Sequence, residues 1–269
     1  MKTFRKIGMA LMAVLMSVNF AACSNEDDTP TEEGSSTNQP IVEKKLVRIT
    51  RNDYAGNPLT IDFKYDENGN VIKVEYCDKW YASQSGQWRI DEDTIEYIWG
   101  SNNSLTWSFE SVLNEAKKLT EIEGLYCAYD NDGHIKEYGD IEDGTIHRIY
   151  TWNNNQLEKI TANDNVTTFS YEGQTCKGFF PLLIDYAEIG FSSYSWERVL
   201  HGDYIFMAQP ELIGIKTTSL PSEIDCSNYT MLFDNYDFDS DGYLIRCTVS
   251  KQWDTGTNYG NDIYRFIWE

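Results

Sequence analysis

From residue 46 onward, apolar side chains recur at every second position rather than every third or fourth. Ile61, Phe63 and Tyr65 alternate with Thr60, Asp62 and Lys64, and Ile72, Val74 and Tyr76 alternate with Val71, Lys73 and Glu75. That period marks strands with one buried face. Further strand-like runs span 46–50, 59–65, 95–99, 105–109, 146–152, 166–171 and 264–268. Turn signals such as "RNDYAGNP" and "GSNNS" separate them, and no βαβ alternation appears. The pattern predicts an all-β fold: an antiparallel β-meander of hairpins curled into an open or closed barrel-like sheet.

One phrase repeats along the chain: aromatic, Asp, any residue, Asn or Asp, Gly, any residue, aliphatic. It occurs in "FKYDENGNVIKVEY" (63–76), "CAYDNDGHIKEY" (127–138) and "YDFDSDGYLIRC" (236–247). A fourth copy, "YTWNNNQLEKI" from Tyr150, lacks one loop residue and the Gly. Hairpin chemistry explains each fixed place. The Asp accepts from backbone N–H groups further on, two residues take right-handed angles, and Gly closes the loop in the left-handed region. Asn154 and Asn155 supply the positive φ of a two-residue loop. The phrase also spells D-x-D-x-D-G at Asp237, Asp239 and Asp241, the opening of an EF-hand calcium loop. Its last ligand place falls on Thr248, and the other copies have Lys64 and Ala128 at the first, so the turn reading leads. A weak calcium site at Asp237, Asp239 and Asp241 is the alternative; no other cofactor is indicated.

Two segments break the alternation. Between 180 and 215, "PLLIDYAEIG" places Pro181 at a helix start and Gly190 at its end, and "QPELIGI" repeats that style around Pro210. This predicts a short helical insert able to plug or cover one end of the sheet. Ser111–Leu119 has weak helical spacing at Val112, Ala116 and Leu119.

The N-terminus sets the compartment. Lys2, Arg5 and Lys6 precede an apolar run, Ile7–Phe20, too short to span a bilayer. Phe20-Ala21-Ala22-Cys23 resembles a bacterial lipobox, which implies a signal peptide over 1–22 and lipidation of Cys23. Residues 23–44 contain no sizeable apolar cluster and read as a disordered acidic tether. The remainder, 45–269, reads as a single β-rich domain. Glu26, Asp27 and Asp28 resemble the surface-export signal of Bacteroidota-type lipoproteins. That implies an outer-membrane lipoprotein exposed at the surface, with a periplasm-facing body as the alternative.

The chain carries 22 Lys+Arg and 43 Asp+Glu; losing 1–22 removes three bases and no acids, so the net charge deepens from −21 to −24. Such a charge repels phosphate backbones, so no nucleic-acid partner is expected, and the membrane is met through the anchor alone. The oligomeric state is unconstrained. Five Cys follow Cys23: Cys77, Cys127, Cys176, Cys226 and Cys247. Their odd count and the lack of C-x-x-C favour small hydrophobes, with one disulfide pair left open.

No nucleophile elbow, H-E-x-x-H, phosphate loop or dinucleotide fingerprint occurs. His134, His147 and His201 stand in separate contexts. The compositional anomaly is aromatic content, 14% with 8 Trp and 18 Tyr. Aromatics suit pleated sheets and fill wide barrels. The binding alternative is strongest at "WYASQSGQW", where Trp80, Tyr81 and Trp88 read as a loop suited to ligand contact. These features predict a non-catalytic envelope protein that binds extracellular glycan or protein. A polysaccharide- or peptide-acting hydrolase and a structural envelope component are the rivals.

The lipobox, the tether, the Y-D-x-[DN]-G hairpins and "PELIGIKTTSLPSEI" (210–224) together resemble Bacteroidota lipoproteins that carry a domain of unknown function with a porin-like fold. The hairpin phrase also resembles the YD repeats of secreted shell-forming proteins, although four copies are too few for a shell. The resemblance covers most of 46–269 and implies a curled antiparallel sheet with no assigned activity. A lipid-spanning barrel needs about ten residues of uninterrupted outward apolar face per strand, which these runs lack.

Overall fold

A computed structural model describes residues 43–53, 55–78, 84–90, 94–101, 104–122, 125–140, 145–162, 165–183 and 205–269. They belong to one compact unit and form sixteen described strands. The first eight are β1 Leu46–Asn52, β2 Pro58–Tyr65, β3 Val71–Asp78, β4 Gln84–Ile90, β5 Thr94–Ser101, β6 Ser104–Leu113, β7 Leu119–Ile122 and β8 Leu125–Tyr129. The second eight are β9 Ile135–Asp140, β10 Ile146–Asn153, β11 Gln156–Ala162, β12 Asn165–Thr175, β13 Ser219–Cys226, β14 Tyr229–Phe238, β15 Leu244–Trp253 and β16 Asn258–Trp268. Each pairs antiparallel with its neighbour in sequence, and β1 pairs with β16 (Ile49 opposite Phe266), so the meander closes into a barrel. Closure pairs the first strand with the last and so removes the two outer edges an open meander would expose.

The repeated turns all lie at one rim. They join β2–β3, β8–β9, β10–β11 and β14–β15, and the chain enters the barrel at the same rim through Lys44. This is the entry rim; the opposite one is the far rim. At Asp66, Oδ1 accepts from the N–H groups of Asn68 and Asn70 (2.9 and 2.8 Å), and Gly69, at φ 91°, donates to the Asp66 carbonyl. Asp130 and Asp239 do the same with Gly133 and Gly242. Asn154 and Asn155 have φ 48° and 63°, as their two-residue loop requires.

Ser111–Leu119 is not a helix. β6 runs to Leu113, and a fifth turn of the same kind follows, with Asn114 in the place of Asp and Lys117, φ 59°, in the place of Gly. The alternation in β3 also slips. Val71 is fully buried and Ile72 is exposed, because a bulge between Lys64 and Tyr65 shifts the register against β3.

Six aromatic donors lace the entry rim among the described residues. Tyr65 on β2 donates to the carbonyl of Leu46 on β1, Tyr129 on β8 to Leu119 on β7, and Tyr171 on β12 to Leu157 on β11. Tyr236 on β14 reaches Pro221 on β13, and the indoles of Trp152 and Trp268 reach Ile135 and Leu244. In every case the end of an even strand ties down the start of the odd strand before it.

The helical insert closes this rim from inside. Its described parts are the turn at Pro181–Leu183, a helical turn at Ile205–Ala208 and a 3-10 turn at Pro210–Ile213 with Gly214 left-handed at its end. Gln209 Oε1 accepts from the Val71 N–H on β3, the Gly214 carbonyl accepts from Ile135 on β9, and Phe180 meets Phe233 of β14 edge-on. Strands so far apart in the barrel order can be touched together only from within the lumen. Phe180, Leu182, Leu183, Ile205, Phe206, Met207, Leu212 and Ile213 are all buried there.

Candidate functional site

Inward side chains change character along the barrel axis. From the entry rim to mid-barrel Phe63, Val74, Ile160, Phe169, Phe233, Val249 and Phe266 are buried in one core cluster with the apolar residues of the insert. Towards the far rim the same inward phase carries polar and aromatic groups. Cross-strand partners share a face, so Lys251, opposite buried Met231, points inward, as does Trp253 opposite Tyr229. Asp262, opposite buried Val249, and Arg51, opposite buried Tyr264, follow. Arg51, Tyr229, Lys251, Trp253 and Asp262 are all half-buried rather than sealed. Among the described residues the barrel is therefore a cup: floored at the entry rim, with half-buried polar and aromatic walls towards the far rim.

Lys251 is the centre of this wall. Its ammonium lies 3.5 Å from the Tyr229 ring centroid and 4.5 Å from that of Trp253, whose rings pack at 5.2 Å. Burial pulls its amine below the ordinary lysine value, opposed by nearby Cys226 and Asp262. Across the barrel, the Arg148 guanidinium lies 5.7 Å from the ring of Tyr138. Aromatic faces interleaved with charged hydrogen-bonding groups suit a hydroxylated, partly apolar ligand such as a saccharide. The sequence held the signal: "CTVSKQW" places Cys247, Val249, Lys251 and Trp253 on one phase, so carrying the alternation to the end of β15 finds the last two.

The sequence-predicted residues fall elsewhere. Trp80 and Tyr81 lie outside the described residues; the flanking strand ends, Asp78 and Gln84, are at the far rim. Trp88 is in strand β4, opposite Tyr97, so the second half of "WYASQSGQW" is strand rather than loop. Pairing with β5, from Ser85 opposite Gly100 to Ile90 opposite Ile95, extends the ladder through this segment. Cys23 also lies outside the described residues.

Asp237, Asp239 and Asp241 each already face a cation or a backbone donor. Asp237 pairs with Arg246 at 3.1 Å. Asp239 and Asp241 hold the Lys44 ammonium at 2.8 and 2.6 Å, while Asp239 Oδ1 is occupied by its own turn. The Lys44 hydrogen bond is the largest cause holding the Asp239 carboxyl below the usual carboxylate range, and the same contact raises the lysine. Asp130, Asp132 and His134 also gather their ligand atoms within 4.8 Å, but Asp130 Oδ1 closes the turn and the His134 ring stacks on Trp152 at 4.6 Å. Among the described cysteines Cys127, Cys176 and Cys247 are buried thiols, Cys226 is half-buried, and Cys77 is exposed.

No family model matches the sequence, and no curated protein matches it. Solved structures do match. A porin-like protein from Bacteroides uniformis superposes with a TM-score of 0.61 at 12% identity, covering 86% of this chain and 99% of that one. A porin-like protein from Bacteroides vulgatus gives a TM-score of 0.42 at 13% identity, covering 84% and 99%. The first likeness shows a shared fold.

Proposed function

We propose that this protein is a lipid-anchored cell-envelope binding protein, without catalysis, that takes extracellular glycan into the far mouth of its cup. The observation that carries the reading is the axial change of the inward face, from sealed apolar core to the half-buried Tyr229, Lys251, Trp253 wall. Lys44, which leads into β1, lies at the floored rim, opposite the mouth. The outward face supports an aqueous surround rather than lipid: Arg48 pairs with Asp62, and Glu75 with both Lys64 and Lys73, along β1 to β3. An Arg or Lys on a lipid-facing barrel surface costs about 2–4 kcal/mol at mid-bilayer. A purely structural component would have no use for solvent-accessible charged groups inside its barrel.

A glycan array probed with the full-length chain tests the reading. Binding is expected, and the double substitution Lys251→Ala with Trp253→Ala should weaken it at least tenfold. An empty array, or hits indifferent to that pair, would overturn the glycan reading, and a pull-down would then decide for a protein ligand. Protease shaving of intact cells addresses the membrane face: removal of the barrel supports surface exposure, and protection until outer-membrane lysis supports a periplasmic body.

A further inference from the structure

A second opening pierces the wall near the entry rim. β13 and β14 pair only from Glu223 to Cys226 with Tyr229 to Leu232, and then diverge. Beyond that point β14 bulges away from its other neighbour between Asp234 and Asp237, with Asn235 at φ 52°. β12 is irregular at the same level, its register against β13 shifting on both sides of Tyr171. The parting strands leave a cleft of about 190 Å³. Buried Leu220 and Phe233 supply its apolar lining. Glu172, Gln174, Ser222, Asp234 and Asn235 supply its polar groups, with the Tyr236 ring beside them, tied to Pro221 through its hydroxyl. Bulges and left-handed non-glycine residues collect where a fold re-aims side chains for a ligand.

We infer that this cleft binds one neutral hexose ring of a glycan. Carboxylates accept from vicinal hydroxyls, the Gln174 amide both donates and accepts, and a ring face lies on Tyr236. Asn235 Nδ2 donates to Asp234 Oδ1 at 2.7 Å, which orients that carboxylate and leaves its second oxygen for the ligand. Among the described residues no base lines the cleft, so nothing there pairs with the acid group of a uronic or sulfated sugar. Glu172 and Asp234 make no ion pair among the described residues, yet both are exposed. Water therefore screens their pull on an organic cation, and hydrogen bonding with shape decides instead. The cleft is separate from the mouth and does not depend on it.

Saturation-transfer NMR on the full-length chain tests this with methyl glucoside, galactoside and mannoside, against glucuronate and N-acetyl-arginine amide. At least one neutral hexoside should bind saturably, and glucuronate should not. Made in the Lys251→Ala, Trp253→Ala background, so that the mouth contributes no signal, Asp234→Ala and the cleft-filling Ser222→Trp should each weaken that binding at least tenfold, with circular dichroism unchanged. Lys251→Ala with Trp253→Ala should leave it intact, which separates this site from the mouth. The proposal is overturned if no neutral hexoside binds, if binding survives both cleft variants, if the mouth pair abolishes it, or if the arginine amide binds better than every sugar. Should one cleft variant fail to fold, the other decides.

Discussion

The hydroxyl of Tyr65 donates to the backbone carbonyl of Leu46 at 2.6 Å, tying the end of β2 to the start of β1. Burial pushes the phenol above its ordinary value, so it remains a donor across the physiological range. Tyr65→Phe keeps the ring and removes only the donor, leaving a carbonyl in a buried strand without it. The expected loss is about 1–3 kcal/mol, the cost of an unmet buried polar group. Urea denaturation should show a lower midpoint with an unchanged slope. Tyr171→Phe, which breaks the distant bond to Leu157, should add to it nearly independently. An unchanged midpoint in both would mean the laced rim contributes nothing to stability.

The Lys44 clamp makes a prediction about acid. Asp239 sits below its unfolded pKa, so its contribution is present above that value, near 3.9, and is lost as pH falls through the lower folded value. Asp66, whose main cause is the Asn70 backbone N–H, shifts the same way. Stability should therefore decline below about pH 4, and Lys44→Met should shallow that decline without removing it. The same clamp bears on calcium. With an ammonium already between Asp239 and Asp241, melting midpoints with and without chelator should coincide. A midpoint lowered by chelator would restore the calcium reading of that turn.

Much of the fold was legible because hairpin physics is local. Tyr65-Asp66 to Gly69 states its turn in five letters, and alternation states which face is buried. The fifth turn escaped because Asn114 and Lys117 carry the same backbone geometry with neither Asp nor Gly, and only the ladder of β6 and β7 on either side compels it. The site was less legible. Tyr229, Lys251, Asp262 and Arg51 come from four strands, so their convergence is a property of register and closure. The wall cleft was invisible, since it exists where the β13–β14 ladder stops, and no residue pattern announces a missing pair. The aromatic excess was visible as composition, and part of it proves to be the six rim donors.

Thiol chemistry should follow burial. Burial pushes the Cys127 and Cys176 thiols up to about 12, and the Cys247 thiol higher still. Since thiolates are the reacting species, native iodoacetamide should label Cys77 first among the described cysteines, Cys226 slowly, and these three only after unfolding. Mass spectrometry of a labelling time course checks the order. Rapid native labelling of Cys247 would show that the β15 core opens far more readily than its packing implies.

Gly214 is where the floor of the cup meets the wall. A Cβ there would lie 2.5 Å from the Gly133 carbonyl oxygen and 2.9 Å from the Ile135 nitrogen, both backbone atoms that cannot swing aside. Its φ of 64° adds a left-handed strain that any other residue would carry. Gly214→Ala should therefore cost about 2–4 kcal/mol, overpacking and left-handed strain together. The Ile135 N–H, which donates to the Gly214 carbonyl at 3.2 Å, reports the event directly. Amide exchange at Ile135 should accelerate far more than at Ile49, on the opposite wall and remote from this contact. If both accelerate equally, floor and barrel unfold as one unit. If only Ile135 responds, the floor opens on its own, and the entry half of the lumen is accessible by a local motion rather than by global unfolding.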